Sequence, residues 1–162
     1  MRCIIDANVL IDLNRGGILS RLFDLPCQFA APDSVLDELV EPDRRLLQDM
    51  GLGRVELTFD QLVEAMAMST AEAHLSLGDC SALIAARDAQ VTLLTGDAAL
   101  RRLAEQAGVA MHGVLWVLDE LESAGLLTGS GLAVSLRQML DEGARLPVDE
   151  CEQRLTRWEG TK

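Results

Sequence analysis

The sequence is poor in aromatic side chains, with three Phe, two Trp and no Tyr among 162 residues. A core so short of rings must be built from Leu, Ala, Val and Ile, which suits helices packed on a sheet. No apolar run approaches the ~18 residues of a membrane span. Asp6 stands where an export signal would have its apolar centre, so the chain reads as cytoplasmic with no membrane partner. Lysine is almost missing: 13 of the 14 basic residues are Arg, and the single Lys is Lys162. That excludes sites built around an internal lysine. Cys3, Cys27, Cys80 and Cys151 show no CxxC spacing, which excludes a zinc knuckle and, in a reducing compartment, a disulfide framework. They read as small buried apolar residues, with Cys80 a spectator beside Asp79. His74 and His112 read as surface or strand-end residues, because neither ends a strand among acids. Positive charge is also scarce, 14 bases against 26 acids for a net charge of −12. A non-specific nucleic-acid grip by the whole surface is excluded, although a local basic strip is not.

What is present alternates. Cys3–Asp6, Gln28–Ala31, Arg54–Phe59, "VTLLT" and "VAMH" read as strands, and "RVELTF" is apolar at every second position. Between them lie helical stretches: Asn8 to Asn14, "GGILSRLFDL", Asp33 to Val40, Pro42 to Met50, a helix capped by Asp60 and running to Ala73, Gly78 to Ala89, and Asp97 to Ala107. Further helices are expected over 113–123, 131–143 and 147–158. Strands separated by helices imply an α/β fold with a parallel sheet of four to five strands covered on both faces. Residues 1–124 read as the core and 125–162 as a C-terminal helical extension of the same domain. The extension carries two apolar stripes, one with Leu136, Met139 and Leu140, the other with Val148, Cys151, Leu155 and Trp158. They suit a helical hairpin packed on the body, or else a docking surface for a partner or second copy.

In a parallel α/β sheet, sites form beyond the carboxyl ends of the strands. Asp6 ends the first strand and Asp97 follows "TLLTG". Asp79 opens a helix whose Ala82, Leu83 and Ala86 share a face, letting it lie close to the sheet. The helix "DSVLDELV" carries Asp37 and Glu38, which flank its apolar stripe symmetrically, so helix geometry does not choose between them. Singly, Asp79 and Asp97 have a plain explanation as helix caps. Asp6 is harder to dismiss, because it adjoins the Ile4–Ile5 pair. Together, converging carboxylates repel one another unless a divalent cation sits among them. An all-carboxylate set without His or Cys suits Mg²⁺ or Mn²⁺ and not zinc. Glu41 and Asp43 lie near enough to Glu38 to be further candidates.

The motifs "IIDANVLIDL", "SVLDELV", "LGDCSALIAA" and "LLTGDAALRRLA", in this order and spacing, resemble those of the PIN-domain nucleases. The likeness spans about residues 1–117 and is nearest to the toxin ribonucleases of toxin–antitoxin pairs. It implies a PIN-like three-layer fold and a metal-binding acidic quartet of Asp6, Glu38, Asp79 and Asp97, which settles the choice between Asp37 and Glu38. Asn8 and Thr95 match polar positions that orient ligands or water. The implied activity is endoribonucleolytic: Mg²⁺- or Mn²⁺-dependent hydrolysis of RNA to 5′-phosphate and 3′-hydroxyl ends. Arg87, Arg101 and Arg102 are candidates for gripping the RNA backbone, or are solvated helix-face charges. A small antitoxin and a homodimer are the implied protein partners. The alternative is a PIN-fold scaffold or protein-interaction subunit without activity of its own. Receiver domains and haloacid-dehalogenase-like phosphatases also place an Asp after a strand. Both normally need a later Lys, which is missing before Lys162, and the first motif is DAN, not DxD.

Overall fold

The computed structural model describes residues 1–160; Lys162, the single lysine, lies outside them. Five strands, β1 (Arg2–Ile5), β2 (Gln28–Pro32), β3 (Gly53–Val55), β4 (Thr92–Leu94) and β5 (Met111–His112), form one parallel sheet in the order β3-β2-β1-β4-β5. The order runs outwards from β1 in both directions, so the chain reverses its winding between β1 and β4. Such a switch point opens a crevice at the carboxyl ends of the two strands. Cys3, Ile4 and Ile5 on β1 and Leu93 and Leu94 on β4 are buried, as continuous apolar strands covered on both faces should be.

The helices are α1 (Ala7–Arg15), α2 (Leu19–Leu22), α3 (Asp33–Asp37), α4 (Arg44–Met50), α5 (Phe59–Ala71), α6 (Leu77–Ala89), α7 (Ala98–Gln106), α8 (Val114–Ser123), α9 (Gly129–Asp141) and α10 (Val148–Gly160). One group gathers around α6, which packs on β1, β2 and β4 and touches α3, α5 and α7. The other joins α1, α2, α8, α9 and α10. The result is a three-layer α/β fold. Residues Cys80 to Ala86 of α6 are all buried, so this helix is the central element of its layer. Among the described residues no helix is long and apolar enough to cross a membrane.

The last two helices pack against each other, and α9 also lies on α1. A Cβ at Gly16 would stand 2.5 Å from Met139 Cε and 3.2 Å from the Ser135 carbonyl, so the chain leaving α1 meets α9 closely. Arg154 reaches from α10 to Asp119 on α8 at 2.6 Å, and Arg157 joins Asp119 and Glu122. The outer face of α5 carries Phe59, Leu62, Val63 and Met66 at helical spacing, all exposed.

Four local expectations are corrected. The strand expected over 54–59 ends at Val55. β3 is an edge strand, and its one partner, β2, stops at Pro32. Thr58, not Asp60, then caps α5 in a reciprocal capping box with Gln61. The helix expected to reach Val40 ends at Asp37, with Glu38 at its C-cap. Likewise α6 begins at Leu77 under a Ser76 cap, which makes Asp79 its third residue and not its opener. Cys3, Cys80 and Cys151 are buried, Cys27 is half-buried, and all four are free thiols.

Candidate functional site

The crevice between β1 and β4 is where the acids meet. Asp6 directly follows β1, its N–H donating to the Leu94 carbonyl at 3.0 Å, so the end of β4 fixes its backbone. Its side chain turns back to cap α1, with Oδ1 accepting from the Val9 N–H at 3.1 Å. Oδ2 accepts from the Thr95 hydroxyl. Asp6 is 1% exposed and Thr95 fully buried. The Thr95 hydroxyl in turn accepts from the Asp97 N–H at 3.2 Å. With that lone pair engaged, its single proton points at Asp6, and one buried side chain ties both acids together.

The other acids are held in the same manner. Asp97 caps α7, with Oδ1 accepting from the Leu100 N–H at 2.8 Å. Asp79 is the third residue of a capping box: its Oδ2 accepts from the Ser76 N–H at 2.9 Å, and Ser76 Oγ accepts from the Asp79 N–H at 3.0 Å. Glu38 Oε1 accepts from the Gly78 N–H at 2.9 Å. A Cβ at Gly78 would come within 2.5–2.8 Å of that carboxylate, so only glycine lets Glu38 approach the start of α6. Thus Asp79, Asp97 and Glu38 each commit one oxygen to a backbone donor. Among the described residues the second oxygen of each has no hydrogen bond. The cap anticipated at Asp97 is real, whereas Asp79 backs the Ser76 cap from the third position of α6; both roles aim a carboxylate without using it up.

Electrostatics bind the group into one site. The Asp6 carboxyl is pushed up to about 7, chiefly because burial penalises its charge. The Thr95 and Val9 hydrogen bonds pull it down, and the charges of Asp79 and Asp97 push it up again. Around the Cys80 thiol, burial first and then the charges of Asp79, Glu72 and Glu38 raise its pKa to about 11, so it stays a neutral thiol. The four predicted acids therefore lie in one field along the carboxyl edge of the sheet. Among the described residues no group of three or more His, Cys, Asp and Glu side chains is already arranged to hold an ion. The donor set nonetheless suits a hard cation. All donors are oxygens, three carboxylates keep an unengaged oxygen, and the innermost acid is costly to ionise without a positive partner.

Asn8 is exposed on α1 and lines a cleft of about 670 Å³ together with Asp12, Arg15, Gly96, Asp97 and Arg145. Sequence reasoning missed Asp12, Arg15 and Arg145. The signal for Asp12 was its i, i+4 spacing from Asn8 on one face of α1. Asp12 is raised by burial and held back by Arg15, its partner at 3.6 Å. Arg145 comes from the turn between α9 and α10, and nothing local in the sequence ties that turn to Asp97. Glu41 is exposed, and Asp43 is occupied as the cap of α4, accepting from the Leu46 N–H at 2.8 Å.

The three arginine candidates separate. Arg101 remains at the site, donating from Nη1 to the Thr95 carbonyl at 3.3 Å. Arg102 is exposed and pairs with Glu72 at 3.5 Å. Arg87 is a correction. It sits near the far end of α6, about 12 Å along the helix from Asp79, and lines a cavity with Met1, Arg2 and Val91 at the opposite sheet edge. Glu64 and Asp88 clamp it there. His74 is exposed, while His112 ends β5 and stacks on Trp116 at 4.5 Å between ring centroids.

No curated protein matches the chain. A family model described as PIN domain matches residues 2–160, nearly the whole length. PIN domains are nuclease-type folds that generally use divalent metals. With a parallel sheet wound as above and acids gathered at its switch point, the chain belongs to the PIN-domain family.

Proposed function

We propose that this protein is a divalent-metal-dependent endoribonuclease that hydrolyses RNA phosphodiester bonds, and that it is the toxin of a toxin–antitoxin pair. The observation that carries the enzymatic reading is the buried Asp6 carboxyl, pushed up to about 7 between the charges of Asp79 and Asp97 at the switch point. Strongly perturbed carboxyls cluster at functional sites. Asp6, Glu38, Asp79 and Asp97 are the residues that would hold Mg²⁺ or Mn²⁺. Such an ion, when bound, supplies an activated water and neutralises charge on the phosphate.

The chain's own part is positioning. Thr95 joins the Asp6 carboxylate to the Asp97 backbone N–H through one hydroxyl, which fixes the start of α7 beside Asp6. Gly78 holds Glu38 beside Asp79. Asn8, on the rim, offers an amide to orient water or a phosphate oxygen. Arg101, fixed through the Thr95 carbonyl, places a guanidinium next to the acids, where the RNA backbone needs a counter-charge. Products with 5′-phosphate and 3′-hydroxyl ends, a small antitoxin partner and a homodimer belong to the same reading.

The test is cleavage of single-stranded RNA in Mg²⁺ or Mn²⁺. Activity is expected in the wild type and lost in Asp6→Asn and Asp97→Asn proteins whose circular dichroism is unchanged. A second reading, a scaffold subunit without activity, draws on the absence of a ready-made ion cage among the described residues. A wild type inert with both metals on varied RNAs would favour it.

A further inference from the structure

A second cavity, of about 580 Å³, lies beside the acidic cleft, and the two share Gly96, Ala98 and Arg145. Its other walls carry Arg101, Arg154 and the parallel pair of His112 and Trp116, whose planes differ by 8°. Both rings are half-buried, so part of each remains open. The cavity also contains Asp119 and Glu150, but both are engaged with Arg154. Arg145 is different. Nine of the 13 arginines form an ion pair with an acid: Arg15, Arg21, Arg44, Arg54, Arg87, Arg102, Arg137, Arg154 and Arg157. Among the described residues Arg2, Arg45, Arg101 and Arg145 form none. In a chain with 26 acids, two of the four arginines left without an acid line one cavity.

We infer that this cavity is a subsite for one nucleotide of single-stranded RNA, adjoining the bond that the acids would cleave. The inference rests on the endoribonuclease reading and adds residues to it. A nucleobase is recognised by aromatic faces, and base–aromatic stacking together with a positive groove is the general means of holding single strands. The Trp116–His112 pair supplies the rings. Arg145 and Arg101 supply the phosphate contacts, and Arg145 borders both cavities, so a strand leaving the acids passes it on entering the subsite. An acidic protein segment would answer the same arginines but has no base to place against the ring pair.

The test measures the affinity of a six-nucleotide, fluorescently labelled single-stranded RNA by anisotropy at low salt, in an Asp6→Asn background that keeps the strand intact. Arg145→Ala and Trp116→Leu are each expected to weaken binding about tenfold. Arg2→Ala removes the same charge at the opposite sheet edge and is expected to change affinity about twofold or less. Unchanged affinity in Arg145→Ala overturns the inference and is what a protein-binding cavity would give. An equal loss in Arg2→Ala overturns it too, because only overall charge would then matter. A parent protein that does not bind the strand also overturns it. If Trp116→Leu fails to fold, Arg145→Ala decides alone. Cleavage by the wild type judges the enzymatic reading separately. Cleavage with unaltered Arg145→Ala affinity removes only the subsite, whereas weakened binding without wild-type cleavage removes only the nuclease.

Discussion

Replacing Asp6 by Asn should stabilise the metal-free protein while abolishing its activity. The free Asp side chain titrates near 3.8, and in the folded chain the Asp6 carboxyl is pushed up to about 7, first by burial. Between these values the native state binds a proton that the unfolded state has released. Stability therefore falls as pH rises through this window, by up to about 1.4 kcal/mol per pH unit, and levels off above it. The full span corresponds to roughly 4 kcal/mol. Asn is isosteric with the protonated carboxyl and carries no charge, so the variant escapes this loss. That span already includes the bonds from Val9 N–H and the Thr95 hydroxyl. What stands against the gain is the Asn amide group, which cannot accept from the Thr95 hydroxyl as the carboxyl oxygen does, a loss of about 1–2 kcal/mol. In EDTA at pH 8, urea unfolding should show Asp6→Asn more stable than wild type by about 2 kcal/mol. At pH 5 the difference should shrink towards zero or reverse. Comparing the two proteins cancels the titrating groups remote from Asp6, though not its neighbours Asp79 and Asp97. Adding Mn²⁺ at pH 8 should then raise the wild type, by about 2.7 kcal/mol at a hundredfold excess over Kd, and leave the variant unmoved. A variant less stable than wild type at pH 8 in EDTA, or a difference that does not depend on pH, would refute the reasoning.

Other substitutions probe single links of the site. Thr95→Val removes the hydroxyl between Asp6 and the Asp97 N–H, and should cost about 1–3 kcal/mol, more at pH 8 than at pH 5; Thr95→Ser should restore most of it in the same unfolding assay. Gly78→Ala drives a Cβ into the Glu38 carboxylate but meets only the tip of an exposed side chain. Its melting temperature should be unchanged or slightly higher, since Ala is favoured over Gly in helices by about 1 kcal/mol, while RNA cleavage falls; retained activity would show that Glu38 need not sit beside Asp79. Arg87→Ala, remote from the acids and bound to Glu64 and Asp88, should leave the cleavage rate unaltered, as a single-turnover measurement can check.

The strands β1, β2, β4 and β5 and their parallel pairing were legible because apolar runs, Gly and cap residues punctuate the chain at regular intervals. Asp6 stood out for a physical reason: a carboxylate beside two buried isoleucines has no inexpensive local explanation. The cap at Asp97 was also legible, and so was a helix-start role for Asp79, though at the third position under Ser76 and not as the cap; both stood as rivals to a functional role. The structure shows that a cap uses one oxygen and leaves the other, so the two readings coexist. "RVELTF" misled because alternation describes a strand with a partner, and the partner strand ends at Pro32. Helix periodicity placed Arg87 on the same helix as Asp79 without revealing that the helix carries it to the opposite sheet edge. Asp12 and Arg145 escaped for a different reason. They reach the cleft through the packing of α1 and the α9–α10 turn around it, and contacts between distant segments leave no local pattern.

The central claim is that Asp6, Glu38, Asp79 and Asp97 together form a seat for a divalent cation. Its most direct test is titration of the chelator-treated protein with Mn²⁺ at pH 8, following free Mn²⁺ by electron paramagnetic resonance. The account predicts saturable binding by the wild type, lost in Asp6→Asn and in Asp97→Asn proteins that remain folded. Absence of saturable binding in the wild type, or binding left intact by both substitutions, would contradict it.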